Sequence, residues 1–513
     1  MSADPMSVEP TLIIRNGTIV DGTGAEPVEA DLALAGDRIV GIGDFGAQSA
    51  AEEIDARGKL VTPGFVDIHT HYDGQAVWDK HMAPSAWHGV TTAIMGNCGV
   101  GFAPCKPEDR EKLVELMEGV EDIPGPVLHE GLNWQWESFA EYLDVLETLP
   151  RDMDLGVLLP HAAVRVYVMG ERAIQLEHAT PEIVSDWDEP DPETEFAMLR
   201  RIVENSGRTA VFTLNQRHNR PDFWRDLLRL AGEAASDGLS IRPVVAPRPI
   251  GILLGLEGSQ NPFSGTATYR SIGDLPLDQR VAAMRDPEVR RKILAEDPVK
   301  DSTFPLIHRI SFSKMFRLGS PANYEPAKSD SIEAIAEREG RTAPEVAYDI
   351  LLEREGHGFI YTPLVNYANY DMSAPEEMLA DKNAIMGLGD GGAHVGFILD
   401  AGYPTWLMSY WGRDRARFPM TDVIRRLTSD TASAAGLSDR GVLAPGKKAD
   451  VNIIDWDKVG FSDPYVTYDL PANGKRLMQK STGYDATIVS GKVTYRGGEA
   501  TGALPGTVVR GQR

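Results

Sequence analysis

The chain has 513 residues, more than a single hydrophobic core supports, so one large domain with a smaller second unit is expected. Hydrophobic residues make up 42% and charged residues 25%, which is typical of a folded globular protein and excludes collagen-like, disordered and membrane-spanning classes. The formal net charge of −25 repels phosphate backbones and anionic lipids, which argues against nucleic-acid or membrane partners.

The N-terminal segment has neither the basic region nor the apolar region of a secretory signal. Cys98 and Cys105 are the only cysteines in the sequence, which is unlike the cysteine usage of a secreted protein of this length. We therefore predict a cytoplasmic protein with free thiols.

Both ends of the chain have the alternating apolar and polar pattern of β-strands. At the N-terminal end this pattern covers residues 11–17, 31–34 and 38–42, and near the C-terminus it returns at 449–455 and 485–495. We predict that the N-terminal strands form a small antiparallel sheet and that residues 1–65 and 440–513 together build a small β-sandwich domain.

Between these ends, short apolar strands alternate with amphipathic helices. The predicted strands are 64–68, 91–95, 154–159, 210–214, 241–245 and 384–387. The predicted helices are 109–117, 136–149, 195–204, 222–236, 277–295, 331–339, 343–354 and 420–427. This alternation predicts an α/β fold, a (β/α)8 TIM barrel over residues 66–439, with an open doubly wound sheet as the alternative. The segment 249–324 is long for a crossover and predicts an insertion over the active face.

The sharpest sign of function is the sequence PGFVDIHTH at residues 63–71. Residues i and i+2 of a strand face the same side, so His69 and His71 are expected to converge at the carboxyl end of the strand. Active sites of barrels lie at that end. Two imidazoles there make half of a zinc-type site. The alternative is a pair of loop histidines with ordinary hydrogen bonds.

Three further segments indicate a family: GNCGVGFAP at 96–104, EGLNW at 130–134 and GLGDGGAH at 387–394. Together with the order of elements, they resemble the N-acyl-D-amino-acid deacylase (D-aminoacylase) branch of the amidohydrolase superfamily. The resemblance implies that His69, His71 and Asp390 hold a divalent metal, with zinc expected, and that Cys98 is a further ligand.

Each of these residues also has a simpler interpretation. Cys98 could be a small buried hydrophobic residue, although the glycines beside it allow close approach to a ligand. Asp390 lies among four glycines, where an aspartate of a turn would also fit. His394 is better explained as a residue that orients this loop than as a ligand.

The sequence also departs from the deacylase pattern. That pattern has two more histidines, after the strands predicted at 210–214 and 241–245, where this chain has Asn215-Gln216-Arg217 and Ala246-Pro247-Arg248. His218 lies three residues past Asn215 and fits a loop position better than a ligand position. One metal ion is therefore favoured, and two remain open.

This residue set predicts metal-dependent hydrolysis of a C–N bond, and the resemblance implies an N-acyl amino acid or a related small amide as substrate. A divalent ion lowers the pKa of its water from about 15.7 toward about 7, and Asp390 would move the proton as general base and acid. His161 and Arg165 are candidate donors to the oxyanion, and Arg217, Arg248 and Arg413 are candidates for a substrate carboxylate. A cyclic amide or ester substrate, a catalytically inactive binding scaffold and a homo-oligomer all remain open.

Overall fold

The computed structural model describes residues 9–174, 192–297 and 311–510. Its strands are β1 Leu12–Ile19, β2 Val28–Ala35, β3 Arg38–Gly43, β4 Glu52–Asp55, β5 Leu60–Pro63, β6 Phe65–Asp67, β7 Val90–Met95, β8 Asp154–Val157, β9 Ala210–Thr213, β10 Ile241–Val245, β11 Gly251–Gly255, β12 Phe316–Arg317, β13 Phe359–Pro363, β14 Ile385–Met386, β15 Val451–Ile454, β16 Gly460–Phe461, β17 Tyr465–Leu470, β18 Gly474–Met478, β19 Ser481–Thr482, β20 Tyr484–Val489, β21 Lys492–Arg496, β22 Glu499–Ala500 and β23 Val508–Val509.

The α-helices are α1 Gln75–Trp78, α2 Arg110–Glu121, α3 Gly125–Gly131, α4 Phe139–Thr148, α5 His161–Met169, α6 Glu171–Ile174, α7 Pro192–Ser206, α8 Phe223–Ser236, α9 Ala267–Arg270, α10 Leu277–Arg285, α11 Pro287–Ala295, α12 Ile332–Glu339, α13 Ala343–Leu351, α14 Ser373–Ala380, α15 Tyr403–Trp406, α16 Met420–Leu427 and α17 Ser429–Ala434. A π-helical segment, Leu407–Asp414, continues α15. Among the described residues, no helix combines the length and the apolar character needed to cross a bilayer.

Strands from both ends of the chain form one nine-stranded sheet, in the order β22-β21-β20-β15-β5-β1-β2-β3, with β4 beside β1. The contact between β15 and β5 joins the two ends, with Ile453 opposite Val61. The three strands predicted at the N-terminal end pair antiparallel as expected, β1 with β2 and β2 with β3. Strands β4 and β5, which the pattern did not predict, run parallel to β1. The apolar side chains of alternate positions form the core of this sheet, as the period-2 pattern requires.

The six strands predicted in the middle of the chain are all present and lie in two parallel groups. One group is β6-β7-β8, with the C-terminal β23 added beside β8, and the other is β9-β10-β14. A parallel bridge between Thr70 and Gly391 links the end of the first group to the second. The carboxyl ends of β6 and β14 therefore meet, and the loops that follow them share one face of the molecule.

The described residues of the segment predicted as an insertion pack together with residues 331–363, which follow it. Strands β11 and β12 both pair antiparallel with β13, and helices α10 to α13 contribute to a separate hydrophobic cluster around Val281, Met284 and Tyr348. The single helix predicted at 277–295 is two helices, because Pro287 interrupts it and Asp286 caps α11 by accepting from the backbone N–H of Glu288 and Val289.

Candidate metal centre

The loop after β6 presents the two histidines. His69 and His71 are both buried, and their rings lie with centroids 5.4 Å apart. The backbone of this loop is fixed on both sides, since the N–H of His69 donates to Asp67 Oδ1 at 3.1 Å and the N–H of His71 donates to the Gly391 carbonyl at 2.8 Å. The expected convergence of the pair is present, although it falls on the loop just beyond the strand.

The loop after β7 carries Cys98. Gly96 has φ of 87° and a Cβ there would lie 2.4 Å from the Leu158 carbonyl oxygen, so only glycine fits. Asp73 Oδ2 accepts from the N–H of Gly96 at 2.9 Å, and the Asn97 amide donates to the Thr70 carbonyl at 3.2 Å. These bonds tie the cysteine loop to the histidine loop and bring Cys98 Sγ to 3.5 Å from His69 Nε2.

The loop after β14 carries Asp390, and its glycines allow the loop to approach the histidine loop closely. A Cβ on Gly391 would stand 2.5 Å from Ser85 Oγ and 2.7 Å from the Tyr72 hydroxyl. Asp390 itself has φ of 49°, and Cys98 has φ of 51°, a left-handed backbone that is uncommon for residues other than glycine. Strained backbone of this kind clusters at functional sites because the surrounding contacts enforce it.

These three loops bring the predicted ligands together. Within the described ranges, His69, His71 and Cys98 form a group whose donor atoms all lie within 4.8 Å of one another. Asp390 Oδ1 lies 3.2 Å from His69 Nε2 and 3.6 Å from His71 Nε2. Two imidazoles, a thiol and a carboxylate are the donor types that zinc prefers, so the residues present fit a divalent ion.

The pKa shifts of these side chains also favour the binding of a divalent cation. Burial opposes a charged imidazole, but contact with Asp390 and Cys98 outweighs it and raises the pKa of His69 to about 9. Burial likewise opposes a charged Asp390, yet the two histidines hold the pKa of that carboxyl well below its usual range. Desolvation raises the Cys98 pKa, and contact with the same histidines overcomes it and brings the thiol pKa to about 7. Two anions are thus balanced by two imidazolium protons, and exchanging those protons for a divalent cation keeps the charge balance.

One residue of this region was missed by sequence reasoning. Helix α2 was predicted to end at Met117, but it runs to Glu121, whose side chain is only 1% exposed. Glu121 Oε1 lies 3.2 Å from His71 Nδ1, and Oε2 lies 3.9 Å from His394 Nε2. A glutamate at the end of an amphipathic helix gives no sequence signal of burial, so only the structure reveals it.

His161 and Arg165, the predicted oxyanion donors, lie on α5. His161 is the first residue of that helix, and a Cβ on Gly99 would stand 3.4 Å from its Cβ, so it neighbours the Cys98 turn. His161 is exposed and Arg165 is half-buried one turn further along. This position beside the metal ligands is compatible with the predicted role.

The loops after β9 and β10 carry amide and guanidinium side chains that form hydrogen bonds with other parts of the protein. After β9, the Asn215 side-chain oxygen accepts from the Asn366 amide at 3.2 Å, and the N–H of Gln216 donates to the Asn366 oxygen at 2.7 Å. After β10, Arg248 is 2% exposed; its Nε donates to Asp400 Oδ1 at 3.0 Å, and its Nη2 donates to the Leu399 carbonyl at 2.5 Å.

The three arginines predicted for a substrate carboxylate therefore differ in placement. Arg248 is committed to Asp400 and packs against the Tyr324 ring at 4.1 Å. Arg413 donates to the carbonyls of Trp456, Asp457 and Val459, which fastens the π-helical segment to the loop before β16. Nη1 of Arg248 has no hydrogen-bond partner among the described residues. Arg217 lies in the loop after β9, with a bridge to Val365. His218, in the same loop, is half-buried, and burial together with Lys314 lowers its pKa to about 4.

Buried imidazoles, a thiol and a carboxylate that meet at the carboxyl ends of parallel strands define a metal-site protein of the α/β class. The sequence profile of the amidohydrolase family matches residues 52–495, and the chain belongs to this family.

Individual relatives support the same assignment. A D-aminoacylase from Alcaligenes xylosoxydans xylosoxydans is 24% identical, over 97% of this chain and 97% of its own length. A solved D-aminoacylase superimposes with a TM-score of 0.62 at 21% identity, covering 97% of this chain and 99% of its own. An N-acyl-D-glutamate deacylase from Bordetella bronchiseptica, solved with zinc and a phosphonate inhibitor, gives a TM-score of 0.62 at 20% identity, covering 98% and 100%.

The predicted D-aminoacylase-like branch is confirmed by these relatives, as is the enzyme class, a metal-dependent amidohydrolase. The described residues have the mixed α/β content that was predicted, and the fold is shared with the solved D-aminoacylase.

Proposed function

We propose that this protein hydrolyses the amide bond of an N-acyl amino acid, with a D-configured amino acid as the favoured substrate. The observation that carries the proposal is the approach of both His69 and His71 Nε2 to within 3.6 Å of one oxygen of Asp390. The family membership and the deacylase relatives support the substrate class, which is a small amide. A (β/α)8 barrel over residues 66–439, with the β domain formed by residues 1–65 and 440–513, is the architecture we propose for it.

His69, His71, Cys98 and Asp390 would hold one divalent ion, with zinc favoured. When bound, such an ion polarises the scissile carbonyl and lowers the pKa of water, so that water can lose a proton and act as a nucleophile near neutral pH. The histidines lower the pKa of Asp390, which keeps this carboxylate ionised as a metal ligand requires. In the proposed mechanism the same carboxylate would accept the proton of the attacking water. It would then return the proton to the leaving nitrogen.

Other residues of the chain would serve binding and charge stabilisation. His161 and Arg165 stand beside the cysteine turn and would donate to the oxyanion of the tetrahedral intermediate. Arg217, Arg248 and Arg413 stay our candidates for the substrate carboxylate. A cytoplasmic location stays a prediction, and both cysteines are free in the structure.

Metal analysis and a substrate screen test this proposal together. Purified protein, loaded with zinc and then dialysed, is expected to retain about one ion per chain. The metal-loaded enzyme is then assayed with matched N-acetyl D- and L-amino acids, with hydantoin and dihydrouracil, and with aryl esters. We expect faster turnover of the D-configured N-acyl amino acids. Loss of all metal on dialysis, together with no turnover, would favour a binding scaffold. Activity confined to the cyclic amides or to the esters would show that the substrate class is one of these instead.

A further inference from the structure

Glu121 is a buried carboxylate that has no role in the mechanism proposed above. It occupies the last position of α2 and faces two imidazoles, His71 Nδ1 at 3.2 Å from Oε1 and His394 Nε2 at 3.9 Å from Oε2. Removing a carboxylate from water is costly unless the group is paired, so a side chain that is 1% exposed needs these neighbours. Asp73, also buried, is a second acid near His71, and burial raises its pKa to about 7.

The two nitrogens of His71 face different groups. Nε2 lies 3.6 Å from Asp390 Oδ1, on the side of the candidate metal ligands, whereas Nδ1 lies 3.2 Å from Glu121 Oε1 and makes no hydrogen bond within the described residues. A ligating imidazole nitrogen must be unprotonated, and the proton of the neutral ring then resides on the other nitrogen. An acceptor opposite that second nitrogen selects this tautomer and fixes the orientation of the ring.

We propose that Glu121 is a positioning residue for His71: its carboxylate accepts the Nδ1 proton and thereby commits Nε2 to the metal. This inference rests on the metal-dependent function proposed above. His394 Nε2 lies 3.9 Å from the other carboxylate oxygen of Glu121, too far for a hydrogen bond but close enough for electrostatic attraction when the ring is charged. In this arrangement His394, which lies four residues after Asp390, connects the aspartate loop to the end of α2 without binding the ion itself.

Metal affinity measured on full-length protein tests the assignment. Dissociation constants for Zn²⁺ are measured by competition with a chromophoric chelator for the wild type, Glu121→Ala and Glu121→Gln. We expect about 10- to 100-fold weaker binding for Glu121→Ala, the usual cost of losing such a partner. Glu121→Gln keeps an oxygen that can accept from Nδ1 and should lose less, between about 3- and 10-fold, because the negative charge is gone. Glu115→Ala, an exposed position of the same helix, is the matched control and should bind like the wild type.

A second readout separates positioning from general stability. The visible absorption of the Co²⁺-loaded protein reports ligand geometry, and it should change in Glu121→Ala while the Glu115→Ala spectrum stays that of the wild type. Wild-type dissociation constants in both Glu121 variants would overturn the assignment. If Glu121→Ala does not fold, Glu121→Leu, which fills the space of the side chain without an acceptor, decides, and an affinity within twofold of the wild type overturns the assignment. Failure of the wild-type protein itself to bind metal would instead refute the proposed function.

Discussion

The strand ends on one face of the molecule fall into two halves that carry different kinds of side chain. The loops after β6, β7 and β14 bring two imidazoles, a thiol and a carboxylate to one point. The ends of β9 and β10, on the same face, are closed by the amide contacts of Asn215 and Gln216 and by the buried ion pair of Arg248 with Asp400. A common scaffold therefore does not imply a common ligand set at every strand end.

The electrostatics of the two halves explain why one ion is favoured. In the half that carries the candidate ligands, contact with the histidines lowers the pKa of Asp390 and of Cys98, which favours the anionic forms that bind a cation. In the closed half Arg248 is paired with Asp400, and the residues after β9 and β10, Asn215-Gln216-Arg217 and Ala246-Pro247-Arg248, offer no histidine, cysteine or carboxylate to a second cation. We therefore expect a mononuclear centre, in contrast to one D-aminoacylase whose solved structure is described as having a binuclear centre.

The largest expected effect is on the ligand-bearing half. Asp390→Asn keeps the size of the side chain but cannot accept a proton, so turnover of an N-acyl amino acid should fall by about 10²- to 10⁴-fold. The measurement is kcat for the best substrate of the screen, with the melting temperature recorded to verify folding. Asp274→Asn, an exposed carboxylate in the insertion, is the control and should retain wild-type turnover. Wild-type turnover in Asp390→Asn would remove this residue from the mechanism.

The next effect concerns the closed half and is one of stability. Arg248→Met leaves Asp400 buried without its partner and should lower the free energy of unfolding by about 3–5 kcal/mol. Chemical denaturation of metal-loaded protein measures this difference. The double variant Arg248→Met/Asp400→Leu should recover much of the loss, because an apolar pair of similar volume replaces the ion pair.

The same variant distinguishes the structural role of Arg248 from the substrate-binding role predicted from sequence. A raised KM with unchanged stability would show that Arg248 binds substrate after all. Unchanged metal stoichiometry in the folded variant is expected, since the ligands lie in the other half.

The smallest effect is a difference in reactivity between the two thiols of the metal-free protein. With the Cys98 pKa at about 7, its thiolate fraction increases as the pH rises, and alkylation by iodoacetamide should be about tenfold faster at pH 8 than at pH 6. Burial raises the pKa of Cys105 to about 12, so it should stay unreactive over this range and serves as the internal control. Mass spectrometry of the labelled peptides measures both rates. Metal loading should protect Cys98, and equal labelling with and without metal would exclude it as a ligand.

Local sequence patterns predicted the scaffold well, since the six middle strands and most helices depend on apolar periodicity within one segment. The His69 and His71 pair follows from the alternation of a strand in the same way. Asp390 and Cys98 could not be derived from spacing, because they lie 321 and 29 residues from His69 along the chain (390 − 69 and 98 − 69). The resemblance to a family supplied them, and the loops that the structure brings together place them in contact.

The sequence by itself determined the class of fold, the net charge and the donor types available for a metal, because these depend on composition, periodicity and short motifs. Only the tertiary structure decided that Arg248 pairs with Asp400 and that Glu121 meets His71. Both are buried contacts between charged residues distant in sequence. Such residues have the same composition and local pattern as solvated surface charges, and burial, which gives them their roles, arises only when separate elements pack together.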